Sequence, residues 1–205
     1  MTRRWFEGWA IVGWAALAVA GVVVAVLVAG GFDEHGMGMA IRATARTSFL
    51  LFLAAFTASA LARLWPRKGT RWLRQNRRYL GVSFAVSHAC HAASIIGLAV
   101  ITSGKSLEAL DSFTVAGGLL GYAFIAVMAA TSSDRTARWL GRRWGLVHTV
   151  GIYYLWVVFL FSYGGRAVFS AYYLPLALLL VLAVTLRIAA ARKPQLRAKV
   201  AARGA

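Results

Sequence analysis

Apolar residues along this chain run in long unbroken blocks, and polar ones gather at the breaks between them. Six blocks reach the roughly 20 residues an α-helix needs to cross a bilayer: about 9–30, 45–64, 79–101, 113–131, 144–163 and 167–190. The last is the most purely hydrophobic, and from Leu174 to Val184 only Pro175 interrupts it. The connections are short. The pattern predicts an all-α polytopic membrane bundle of six transmembrane helices, a single domain over 1–205 with core helices at about 45–190 and a basic tail at about 191–205.

Composition agrees, with 60% apolar and 14% charged residues, against roughly 25% charged in an ordinary soluble domain. A disordered tail, a disulfide scaffold and most soluble folds are excluded. The net charge of +17 would suggest nucleic acid in a soluble chain. Here the basic residues lie between apolar spans, where they act as an orientation signal, and nucleic-acid binding is not expected. With the N-terminus cytoplasmic, 19 basic residues fall inside: two at Arg3 and Arg4, seven between Arg63 and Arg78, four between Arg135 and Arg143, and six between Arg187 and Arg203. Only Arg42, Arg46, Lys105 and Arg166 fall outside, beside Asp33, Glu34, Glu108 and Asp111. This asymmetry predicts both termini on the cytoplasmic side of the inner membrane.

Arg3-Arg4 before an apolar run resembles a signal peptide, but the run exceeds the usual h-region of about 7–15 residues, so an uncleaved helix is expected. A lone Cys90 excludes an intrachain disulfide and a thiolate zinc cluster. No glycine-rich nucleotide loop occurs, so any chemistry belongs inside the helices or on a partner.

Ionisable side chains within a span are candidate functional groups, because each is costly without a partner. His88 and His91 lie on the third span and His148 on the fifth; His35 falls in the first outside loop and is expected to be solvated. His88 and His91 are three residues apart and share one helix face. The third and fifth spans run in the same direction, and imidazoles facing each other from two such helices can hold a haem iron. The alternative use of an intramembrane histidine is a hydrogen bond to a neighbouring helix, worth about 0.6 kcal/mol.

Arg77-Arg78-x-Leu80-Gly81, followed by His91, resembles the third-helix motif of the ferric reductase-like transmembrane proteins, most closely the branch of haem-bearing subunits of bacterial methionine-sulfoxide reductase systems. Thr131-Ser132 and Leu140-Gly141-x-Arg143-Trp144-x-x-x-His148 resemble that branch's entry to its fifth helix. Thr44-Ala45-Arg46-Thr47 and Leu61-Ala62-Arg63 are similar too. The resemblance spans about 40–190 and implies six helices around b-type haem, with His91 and His148 as axial ligands. Electrons would pass from a cytoplasmic donor, a flavin reductase or a quinone, to an outer-face redox partner. The chain would then be the electron-transfer component of an oxidoreductase system. One haem b is expected, and FMN is a further candidate cofactor.

Two departures bear on this. The family's fifth helix usually carries a second histidine thirteen residues beyond the first, and here Phe161 stands there, which counts against a second haem. His88 is extra, and by residue count from the basic stubs it lies nearer His148 in depth, with a mismatch of about 7.5 Å against about 12 Å for His91. His88 is therefore a rival partner for His148, and each imidazole could instead serve its own five-coordinate iron. Arg46 is a candidate for a haem propionate. Gly117 and Gly121 offer close helix packing. Trp65, Trp72, Trp139 and Trp144 are expected as interfacial anchors. The competing reading is a haem-free membrane scaffold or transporter subunit with packing or proton-relay histidines.

Overall fold

The structure, a computed structural model, describes residues 5–203, with side chains over 5–193. The charges of Arg3 and Arg4 and the side chains of Arg197, Lys199 and Arg203 lie outside the described residues. The described residues form helices and no strand: α1 (Trp9–Gly30), α2 (Glu34–Leu64), α3 (Lys68–Gln75), α4 (Arg77–Ile101), α5 (Lys105–Glu108), α6 (Ser112–Ala130), α7 (Asp134–Leu140), α8 (Arg142–Phe169), a 3₁₀ turn (Ala171–Tyr173) and α9 (Leu174–Arg203). Six helical segments, α1, α2, α4, α6, α8 and Ala171–Lys193, are long and apolar enough to cross a membrane. Their exposed faces carry large apolar side chains, such as Val28 at 75% and Leu17 at 67% exposure on α1. A helix apolar all round needs lipid or protein on every side.

Two boundaries depart from the residue pattern. The second span begins at Glu34 rather than near 45, so His35 and Arg42 belong to a helix instead of an outside loop, and Arg46 lies well inside that helix rather than at its outer end. Asp33 starts that helix: its side chain accepts from Gly36 N at 3.0 Å and its carbonyl from Met37 N at 3.0 Å. The reversal from α1 takes only residues 31–33, with Gly31 at φ 86°, a left-handed backbone that glycine tolerates best. A Cβ on Gly36 would run into the Gly31 carbonyl oxygen, so this turn closes only over a bare α-carbon. At the other boundary, residues 167–169 continue α8, and the last span starts after the break at Ser170. Pro175 therefore sits in the first turn of α9, where its missing N–H forfeits no helical bond.

The chain divides into two compact units, one of residues 1–52 and 78–158, the other of 53–77 and 159–205. In the first unit, α2 and α4 pack antiparallel along a seam of small hydroxyls. Ser48 Oγ meets Ser87 Oγ at 2.9 Å and Thr47 Oγ1 meets it at 3.1 Å. One turn along, Phe52 packs edge-on to Phe84. Thr44, Ser48, Ser83 and Ser87 are fully buried there, and such small polar residues let helices approach closely in an apolar medium. In the same unit α6 packs on α8 through its glycines: Tyr154 donates to the Gly117 carbonyl at 2.8 Å, and Gly121 touches Tyr154 and Leu155. In the second unit, Phe56, Ala58 and Leu180 are buried without exposure, joined by Ala183 and Ala190.

Candidate functional site

All three intramembrane histidines belong to the first unit. His91 sits on α4 at the continuation of the hydroxyl seam, and α2 holds it by one nitrogen. Nδ1 lies 3.1 Å from the Ile41 carbonyl and 3.1 Å from Thr44 Oγ1. A carbonyl only accepts, and the Thr44 hydroxyl hydrogen is already directed at the Ala40 carbonyl, 2.7 Å away. Nδ1 must therefore carry the proton, which leaves the lone pair on Nε2. An imidazole fixed by Nδ1–H to a carbonyl is the usual posture of a metal-binding histidine, because the contact sets both tautomer and ring direction.

His88 lies one turn back on the same helix. Its ring is 5.0 Å from that of His91, 5.3 Å from Phe84 and 5.0 Å from Tyr122 on α6. The Tyr122 hydroxyl is buried and makes no hydrogen bond. Nothing in the residue pattern singled out Tyr122; a lone phenol beside Gly121 in an apolar span was the available signal.

His148 is held differently. Its Nε2 is 2.9 Å from Thr131 Oγ1, which also lies 2.7 Å from the Val127 carbonyl. Trp144 stacks on the ring at 4.3 Å and donates through its indole N–H to the Thr131 carbonyl at 2.9 Å. Trp144, expected as an interfacial anchor, is thus part of the packing around His148, while Trp139 is exposed.

The sixth helix, α6, measures the depth of these groups. His88 meets it at Tyr122 and His148 meets it at Thr131, nine residues later. At 1.5 Å per residue that is about 13.5 Å along the axis. Side chains on a helix lean toward its N-terminus, so the Tyr122 ring leans away from Thr131. A second scale agrees: Arg78 pairs with Asp134 at 2.8 Å, just past Thr131, and His88 lies ten residues beyond Arg78, about 15 Å. The structure brings His88 and His91 together and joins His148 to Thr131 at another level. Counting from the basic stubs underestimated the offset, because it treated the starts of α4 and α8 as level.

The remaining expected residues are placed as follows. Arg46 is exposed, two residues from the buried Thr44 and Ser48 and so on the far side of α2. Phe161 is 69% exposed. Cys90 is a free thiol, half-buried. His35 is exposed, as expected for a solvated side chain. Among the described residues no three His, Cys, Asp or Glu side chains converge on one point. Comparison with protein-family models, with curated proteins and with solved structures finds no match to this chain.

Proposed function

We propose that this chain is an intramembrane electron carrier of the ferric reductase-like kind, with b-type haem held by His91. The observation that carries the reading is the anchoring of His91 Nδ1 on the Ile41 carbonyl, which leaves Nε2 as the basic nitrogen of a ring 5.0 Å from that of His88. Haem, when bound, supplies one-electron chemistry. The chain's own contribution is to fix the imidazole against α2 at the end of the hydroxyl seam, with His88 beside it and the Tyr122 ring beside His88. The offset of about 13.5 Å between the His88 and His148 contacts on α6, with His91 three residues farther along α4 from Arg78, favours separate stations for His91 and His148 over one shared iron. Ligation by His148 through Nε2 would require the Thr131 contact to give way. Arg46, on the far face of α2, receives no propionate role in this reading.

In this account the chain lies in the cytoplasmic membrane with both termini inside. It receives electrons from a cytoplasmic flavin reductase or a quinone, with FMN as an auxiliary cofactor, and delivers them to a redox partner at the outer face. The specific observation favouring a haem-free scaffold is that both His91 and His148 hydrogen-bond a threonine of a neighbouring helix. Reduced-minus-oxidised spectra of the purified full chain separate the two. A Soret band and sharp α band that are lost in His91→Ala support the carrier. A colourless protein after haem-supplemented expression supports the scaffold.

A further inference from the structure

The second unit concentrates charge of one sign. Thirteen of the 23 basic residues fall within its segments 53–77 and 159–205, and not one of the six acidic residues does. Some of those cations have ordinary structural roles. Lys193 caps the end of α2, its Nζ donating to the Arg63 and Leu64 carbonyls at 2.9 and 3.1 Å, groups that have no partner within the helix. Arg63 reaches the Ala190 carbonyl at 3.3 Å.

The cations of α3 are placed differently. At about 100° per residue, Lys68, Arg71 and Arg74 fall within about 120° of arc, and Arg67 precedes them at the helix start. All four are exposed. Leu73, nearly opposite, is half-buried, as is Trp72. Lys68, Arg71 and Arg74 make no ion pair and no side-chain hydrogen bond among the described residues. The helix that presents them is fixed at both ends. Thr70 Oγ1 accepts from Arg67 N at 3.0 Å, and the buried Asn76 donates through its side-chain nitrogen to the Trp72 carbonyl at 3.0 Å.

Three residues separate α3 from α2 and one separates it from α4, and both of those helices are long and apolar enough to cross a membrane. A helix tethered so closely to two spans borders the bilayer, and Trp65 and Trp72 are of the residue type enriched at that level. We propose that the cationic face of α3 binds the headgroups of anionic phospholipids. Clustered cations next to a span attract acidic headgroups, and no carboxylate of the same unit competes for these. An acidic soluble protein would suit the charge as well, but lipid phosphates already stand at the depth where the tether holds the helix. The face is the same whether or not haem is bound.

The test uses the full chain in phosphatidylcholine vesicles doped with photoreactive phosphatidylglycerol or photoreactive phosphatidylcholine, with labelled residues mapped by mass spectrometry. In wild-type protein, residues 65–76 should take at least about fivefold more label from the glycerol lipid, the effect of one surface cation. That preference should shrink as salt is raised, since exposed charges are screened. Lys68→Gln with Arg71→Gln and Arg74→Gln should abolish it, while phosphatidylcholine labelling of the six spans stays as in wild type and reports an intact fold. Arg71→Lys with Arg74→Lys keeps the charge and should keep the preference. Equal labelling by the two lipids in wild-type protein overturns the proposal, and so does a preference that survives both high salt and the triple substitution. Binding of decaglutamate that the triple substitution abolishes, without any lipid preference, would also overturn it and give the face to an acidic protein.

Discussion

At the scale of single residues, the two histidines differ in which nitrogen of the imidazole is tied down. Thr44 and Ile41 hold His91 by Nδ1, and Thr131 holds His148 by Nε2. That difference was not legible in the sequence. The histidines stood out as ionisable groups in apolar spans, but the contacts of their ring nitrogens are made with partners 17 to 50 residues away on another helix. Thr44→Val removes one acceptor of the His91 proton and should speed haem loss to a scavenger protein about tenfold, as outer-shell changes do; an unchanged rate would contradict the role given to Thr44. Gly36 makes a different prediction. A methyl there meets backbone rather than a flexible side chain, so Gly36→Ala should cost about 1–3 kcal/mol, read as a lowered thermal midpoint in detergent. Gly118→Ala, facing open space, should leave the midpoint unchanged.

At the scale of elements, six apolar blocks were enough to place six spans, because length and hydrophobicity are local properties. Their ends were less legible. The start of α2 lies outside the apolar block at 45–64, where Asp33, Glu34 and His35 are polar and Gly36 and Gly38 are poor helix formers; the cap at Asp33 overrides that tendency. A similar cap starts α6, where Asp111 accepts from Thr114 N at 2.9 Å and from the Thr114 hydroxyl at 2.6 Å. These bonds favour the charged carboxylate and hold its pKa below the usual range. A depressed folded-state value means stabilisation that is present above the ordinary carboxylate pKa of about 4 and lost as pH falls through the folded value. The thermal midpoint of wild-type protein should therefore decline more steeply below about pH 4 than that of Asp111→Asn. Parallel curves would remove Asp111 as a contributor.

At the scale of the whole molecule, the asymmetry of basic residues predicts orientation. In a Cys90→Ala background, a cysteine at Ser106 should react with an impermeant maleimide from outside intact cells, and one at Ser133 only after permeabilisation; the reverse pattern would invert the topology. The same charges, read along the chain, predict an orientation for the spans and nothing about how the helices are shifted along one another. That His148 meets α6 nine residues from the contact of His88 depends on such shifts and was not legible in the charges. The most direct measurement of the central claim is haem per chain, by pyridine haemochrome, in His91→Ala and His148→Ala compared with wild type. Separate stations predict that His148→Ala keeps the haem bound at His91 while His91→Ala loses it. Equal and complete loss in both variants would mean a single shared iron, and wild-type protein without haem would end the electron-carrier reading.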